Sequence, residues 1–302
     1  MASSSRWTAA DLIDLTGTIA VVTGANNGIG FHTARELASH GATVVLACRN
    51  VEAGERAAAA IRGTTRVEKL DLASQASVAD FAARWEGRLD LLINNAGVMQ
   101  PPHFRTTEDG HELMFGTNHL GHYALTARLL PALQESSSPR VVTVASIAHH
   151  GGDARVVQGN PESHYKPGRD YAQSKLANLL FALELHRRAQ AAGSNLVSAA
   201  AHPGVSATNL VASRDGMGAN TIVRTFAAPL LPMVFQSAVR GADPSLYAAT
   251  VAESGTYTGP QRLHESRGPI GPAKLSRYAQ DADLARQLWD RTTELTGLDF
   301  DL

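Results

Sequence analysis

The chain is built from short, almost uninterrupted apolar runs set between longer stretches with apolar residues every three or four positions. The runs at 17–23, 43–48, 89–93, 140–145 and 195–201 are rich in Val, Ile, Leu and Ala, while 65–70 is a more polar strand ending at Leu70. They lack the in-and-out alternation of a half-exposed strand, so most of them predict strands buried on both faces. Helical spacing predicts helices at 31–40, 51–61, 78–85, about 110–130, from Asp170 onward, 246–251 and 281–295, with Pro131 expected to end or kink the fourth. On these helices Ala34, Leu37 and Ala38, then Leu176, Leu179, Leu180 and Leu183, and finally Leu284, Leu288 and Leu295 form the inward stripes. Repeated β-α units predict a parallel sheet with right-handed crossovers and a ligand at the carboxyl ends of its strands.

The remainder is less regular. Residues 205–239 are apolar without a clear period and predict either a helix pair on the sheet or a lid over a hydrophobic pocket, 255–259 an edge strand, and 260–276 a polar loop. There is no repeat, so a single domain is expected over 1–302, with 260–302 capping one side of the substrate mouth.

Composition narrows the classes. Hydrophobic residues at 44% and charged residues at 18% describe a soluble globular chain with a large core. Lys and Arg number 27 against 28 Asp and Glu, so no net field draws the chain to nucleic acid or an anionic membrane. The lone Cys48 excludes an internal disulfide, reads as a packing residue and fits a reducing compartment. The first fifteen residues carry three Ser, Arg6 and two Asp in place of an apolar core, so neither a signal peptide nor a membrane anchor is expected. A cytoplasmic location follows as the expectation.

Chemistry enters at the strand ends. The first strand runs into Gly24-Ala25-Asn26-Asn27-Gly28-Ile29-Gly30 and then a helix. Glycines at such a junction let a backbone approach a pyrophosphate held at the positive end of the helix. The second strand ends at Ala47-Cys48-Arg49. It offers no carboxylate for adenosine ribose hydroxyls, while Arg49 offers a cationic fork suited to a 2′-phosphate, which favours NADP over NAD. Arg49 facing only solvent is the alternative. Asp71 and Leu72 follow the third strand, Asp71 suited either to an adenine amino group or to capping the next helix. The fourth ends in Asn95-Ala96-Gly97, another tight turn, and the fifth at Ser146.

Two helices carry the remaining candidates. Asn118 interrupts a helical stretch, where its side chain competes with the backbone unless it is solvent-exposed or has a partner. Tyr171 and Lys175 are four apart, one above the other on one helix face. A phenol with a pKa near ~10 becomes a useful acid/base when a fixed cation stabilises its anion. The His-rich loop at 149–164 fits no common metal-ligand spacing and reads better as a flap over substrate.

Taken in order, Thr23-Gly24-x-x-x-Gly28-Ile29-Gly30, Asn94-Asn95-Ala96-Gly97, Asn118, Ser146, Tyr171-x-x-x-Lys175 and Pro203-Gly204-x-x-x-Thr208 resemble the short-chain dehydrogenase/reductase family over residues 16 to 260. Asn118-His-Leu-Gly-His122 and Gly241-Ala-Asp-Pro-Ser-Leu-Tyr247 are similar to its retinol-dehydrogenase-like branch. The resemblance implies a single Rossmann-type, doubly wound α/β domain with a mostly parallel sheet and helices on both faces. It implies Tyr171 as proton donor or acceptor, Lys175 lowering its pKa and holding the nicotinamide ribose, Ser146 bonding the substrate oxygen, and Asn118 holding a relay water. Cofactor contacts are then expected from Gly24, Asn26, Asn27, Gly28, Ile29, Gly30, Arg49, Asp71, Leu72, Asn95, Ala96, Gly97, Tyr171, Lys175, Pro203, Gly204, Val205 and Thr208.

The expected function is an NADP(H)-dependent oxidoreductase acting on a small lipophilic aldehyde, ketone or alcohol, in a homodimer or homotetramer. Departures from the family pattern are Ala145 before Ser146 and a long segment from Ser146 to Tyr171. The competing readings are a non-catalytic NADP(H)-binding regulatory module and an epimerase or dehydratase on the same fold.

Overall fold

The computed structural model describes residues 7–205 and 237–302. Strands β1 (Ile19–Thr23), β2 (Thr43–Cys48), β3 (Thr65–Lys69), β4 (Leu91–Asn94), β5 (Arg140–Val144), β6 (Val197–Ala201), β7 (Tyr257–Arg262) and β8 (Arg267–Pro272) form one sheet. Its order is β3-β2-β1-β4-β5-β6-β7-β8, parallel throughout except for the antiparallel β7–β8 pair.

Continuous apolar runs give strands covered on both sides because successive residues point to opposite faces. Ala20, Val22, Val44, Leu46, Cys48, Val142 and Val144 enter a core beneath α1 (Gly28–Ser39) and α2 (Val51–Ala59). Val21, Val45, Ala47 and Val141 enter the opposite core, under α3 (Gln75–Ala83) and α5 (Gly121–Gln134). Each alternate residue of one strand thus belongs to a different layer. The long α6 (Pro167–Ala191) completes this second face, and Leu176, Leu179, Leu180 and Leu183 are all core. Toward the C-terminus, α7 (Ala238–Thr250) joins the first face and α8 (Ala282–Thr296) packs on the second.

Several elements differ from expectation. Pro131 does not end α5, which continues to Gln134. A three-residue α4 (Leu113–Phe115) and a π turn at Gly116–Leu120 precede α5, so the helical stretch starts later than its pattern suggests and is distorted around Asn118. The expected loop at 260–276 contains β8, and its glycines and prolines hide the strand. They are tolerated because β8 is the sheet edge, where a proline's missing N–H breaks no inner ladder. Helix α7 begins well before 246 and includes Pro244. Residues 206–236 lie outside the described residues, and with them most of the proposed lid and Thr208.

The order of strands reverses between β1 and β4. At such a reversal the connections leave in opposite directions and open a crevice at the carboxyl ends. The turns following β1 and β4 meet there.

Candidate active site

Gly24 and Gly28 have φ of 65° and 58°, a left-handed backbone that glycine adopts without a steric penalty. At Gly30 the requirement is space. A Cβ there would stand 2.4 Å from Asn95 Nδ2 and 2.6 Å from the Gly24 carbonyl oxygen. Asn27 holds the N-cap position of α1 without a side-chain bond, so the first N–H groups, which have no intrahelical acceptors, stay open toward the reversal crevice. The turn after β4 is tied to this one through Thr23. Its hydroxyl accepts from Asn95 N–H at 2.9 Å and Ala96 N–H at 3.0 Å, and its carbonyl accepts from Asn95 Nδ2 at 2.8 Å.

The catalytic candidates gather beside that turn. A Cβ on Gly97 would sit 3.1 Å from Asn118 Oδ1 and 3.6 Å from Lys175 Nζ, so Gly97, Asn118 and Lys175 share one small volume. Asn118 is fully buried, which removes the solvent-exposed explanation for it. Its Oδ1 accepts from Val98 N–H at 2.7 Å, while its Nδ2 donates to the Val98 carbonyl at 3.0 Å and to Ser174 Oγ at 3.0 Å. Ser174 in turn donates to the Tyr171 carbonyl at 2.8 Å, so the side chain of Asn118 joins the β4 turn to α6.

Ser146 follows β5, and its hydroxyl is close enough to the Tyr171 phenol to oppose the rise in that group's pKa. Lys175 Nζ donates to the Val144 carbonyl at 3.1 Å and lies 5.8 Å from the Tyr171 ring centroid. Tyr171 and Lys175 share a face as expected, but the expected lowering of the phenol pKa is absent. Burial pushes Tyr171 up to about 12, with the Ser146 hydroxyl opposing, and burial pushes Lys175 down to about 8. In each case the charged form loses solvent, and the ammonium is directed at a carbonyl away from the phenolic oxygen.

The cofactor candidates occupy the same edge. Arg49 is exposed just past β2, beside buried Cys48, whose thiol burial raises to about 11. Asp71 does not cap α3; Ser74 does. Its Oδ1 accepts from Ala73 N–H at 3.0 Å in a local turn next to Leu72. Gly204 has φ of 68°, and Val205 N–H donates to the Ser266 carbonyl at 3.0 Å, which fixes the Pro203-Gly204-Val205 turn against the β7–β8 hairpin.

Two residues near the site carry no clear sequence signal. His149 is buried, and its Nδ1 donates to the Ser146 carbonyl at 2.8 Å while Nε2 accepts from Ser276 N–H at 3.2 Å. The histidine-rich loop thus supports Ser146, and it is folded into short 3₁₀ turns tied to α6 through Asp153 and Gln173. His202 is also buried, with Nδ1 accepting from Gly204 N–H at 3.2 Å. A cavity of about 420 Å³ lies elsewhere, bordered by Trp7, Arg240, Asp243, Arg262 and Arg267, and contains none of the candidate site residues.

A dinucleotide crevice at the sheet reversal, with a Ser-Tyr-Lys constellation and a buried Asn beside it, defines a nicotinamide-dependent oxidoreductase fold. The family model for short chain dehydrogenases matches residues 18–217, and the chain belongs to that family, whose members bind NAD(P) and act on CH–OH groups. It falls in the retinol-dehydrogenase-like branch. Retinol dehydrogenase 13 of Homo sapiens is 41% identical over 292 residues, 94% of this chain and 86% of that one. Retinol dehydrogenase 11 of Homo sapiens is 40% identical over 297 residues, 96% and 89% of the two chains. A solved structure of an uncharacterized protein from Mycobacterium Paratuberculosis is 42% identical with a TM-score of 0.83, covering 99% of this chain and all of that one.

Among the described residues no helix is long and apolar enough to cross a membrane.

Proposed function

We propose that the protein is an NADP(H)-dependent oxidoreductase interconverting a lipophilic carbonyl compound and its alcohol, with Tyr171 as the acid/base. The reading rests on Asn118 and Lys175 meeting at Gly97, with Tyr171 one turn before Lys175 on α6 and Ser146 beside the phenol at the end of β5. The glycine turn fits the group: Gly24 and Gly28 hold left-handed backbone, Gly30 lets α1 close on the Asn95 turn, and Arg49 follows β2 with no carboxylate before it. NADP(H), once bound, supplies or accepts the hydride.

The residues of this chain do the rest. Ser146 donates to the substrate oxygen and Tyr171 hands it a proton, so charge developing on that oxygen meets donors already in place. With its pKa near 12 the phenol stays protonated at neutral pH, which suits reduction of a carbonyl. Lys175 would hold the nicotinamide ribose and resupply the proton, with a relay water held at Asn118. The names of the 41% and 40% identical relatives support a lipophilic alcohol or aldehyde as substrate. The apolar composition of 205–239 agrees with a lid over such a substrate. A cytoplasmic homodimer or homotetramer completes the proposal, the lone Cys48 suiting a reducing compartment.

A panel of lipophilic aldehydes and ketones with NADPH and NADH, followed by cofactor absorbance, tests the reading; no turnover with any pair would overturn it. Tyr171→Phe is expected to cut turnover by at least ~10²-fold while NADPH still binds. Cellular function surviving that change would favour a non-catalytic NADP(H) module. Arg49→Asp is expected to move the NADPH-to-NADH preference at least about tenfold toward NADH, and an unmoved ratio would refute the 2′-phosphate assignment.

A further inference from the structure

One buried imidazole is bonded to both halves of the site. His122 lies on α5, one helical turn after Asn118, and is 1% exposed. Its Nδ1 is 2.9 Å from the Asn118 carbonyl oxygen, and its Nε2 is 2.9 Å from Thr23 Oγ1. Both directions are forced. A carbonyl oxygen only accepts, so Nδ1 carries the hydrogen. Thr23 Oγ1 already accepts the N–H groups of Asn95 and Ala96, which fills its two lone pairs. Its own proton therefore goes to His122 Nε2, in preference to the Ile93 carbonyl at 3.3 Å.

The ring is thus a neutral Nδ1–H tautomer. A second proton would aim an N–H at an oxygen with no lone pair to receive it. Burial agrees, pushing the His122 pKa down to about 4 with help from the Lys175 charge and against the Asn118 bond.

The two ends of this bridge have different work. Thr23 closes β1 and seats the Asn95-Ala96 turn. Asn118 stands in the π turn, where Gly121 N–H reaches back five residues to the Gly116 carbonyl. Such a turn distorts the helical ladder and is held only by what surrounds it. His122 ties its central residue to the strand beneath the cofactor edge.

We propose that His122 is a positioning residue: its neutral Nδ1–H tautomer fixes the Asn118 backbone relative to the Thr23-Asn95 edge, so that the proton-relay side and the cofactor side of the site keep one geometry. The proposal rests on the oxidoreductase reading for its catalytic consequence but not for the tautomer. Three variants separate position from packing. His122→Leu fills the space without polar atoms and is expected to lower kcat by at least about tenfold, the loss of roughly one well-made hydrogen bond. His122→Asn places an amide N–H where Nδ1–H stands and should recover kcat to within about threefold of wild type. His122→Gln reaches Thr23 but offers no donor at the Nδ1 place, and should stay as slow as the leucine variant.

Melting temperature and NADPH affinity by fluorescence titration are read alongside. Recovery of kcat by Asn alone, without a matching recovery of its melting temperature, supports the proposal. Equal kcat in Leu and Asn, or kcat that follows melting temperature across the three, overturns it. Should the variants not fold, ring ¹⁵N shifts of His122 in the wild-type chain decide: a neutral Nδ1–H ring from pH 6 to 8 is expected, and an Nε2–H ring or an imidazolium overturns the assignment. Wild-type turnover absent with every carbonyl tried would refute the functional reading and leave the tautomer result standing.

Discussion

Lys175 is a buried ammonium, 4% exposed, that donates among the described residues to the Val144 carbonyl. Its pKa falls from 10.5 to about 8 because burial penalises the charge. The folded state therefore releases a proton between those values while the unfolded chain keeps it, so this residue's contribution to stability rises with pH from about 8 to 10.5. At neutral pH the penalty is present in full and costs on the order of 3 kcal/mol. The opposite outcomes for folding and chemistry make a test. Lys175→Met is expected to raise the melting temperature by at least about 2 °C and to cut turnover at least ~10²-fold. It should also flatten the rise in stability from pH 8 to 10.5. A lower melting temperature would mean that the ammonium stabilises the fold.

At the scale of elements, the motif residues were legible in the sequence because each serves a backbone shape that few residues allow. Gly30 is such a case: α1 approaches the turn after β4 so closely that a single methyl would meet Asn95 Nδ2 and the Gly24 carbonyl. Gly30→Ala is expected to separate the two turns, weaken NADPH binding at least about tenfold and cost roughly 1–3 kcal/mol of stability, read by fluorescence titration and thermal melts. Unchanged affinity would show that the two turns need not touch. Other elements were hidden for equally physical reasons. Strand β8 has an edge position that tolerates Pro269 and Pro272, so its composition resembles a loop. The π turn at Gly116–Leu120 leaves no periodic trace, because one displaced residue does not disturb an apolar helix that is buried all round. His149 looks like an ordinary loop residue because its one long-range partner, Ser276, is brought to it only by the fold.

Across the whole molecule α6 is anchored well beyond the residues it carries to the site. Its first turns carry Tyr171 and Lys175; ten residues after Tyr171, about 15 Å along the axis, Phe181 enters a cluster of rings. Phe300 closes that cluster, with ring centroids 4.8 Å from Trp289 and 5.0 Å from Tyr123. The chain end is fixed there by polar bonds: the Leu298 carbonyl accepts from the Tyr123 hydroxyl at 3.3 Å, and the Asp301 carbonyl from Gln134 Nε2 at 2.7 Å. The last residues therefore clamp α5, α6 and α8 together near the middle of α6, about 15 Å from the phenol-bearing turn. Nothing in residues 297–302 announces this, since three apolar residues alternating with Asp show no helical period. Because Phe300 is only half buried, Phe300→Ala is expected to cost about 1–3 kcal/mol, below the full core value. Separation from Tyr171 should leave kcat per folded molecule within about twofold of wild type. Denaturant unfolding followed by Trp fluorescence, with turnover measured on the same samples, checks both parts. Turnover that fell in proportion to stability would show that the clamp sets the pitch of α6 at the site as well as its anchorage.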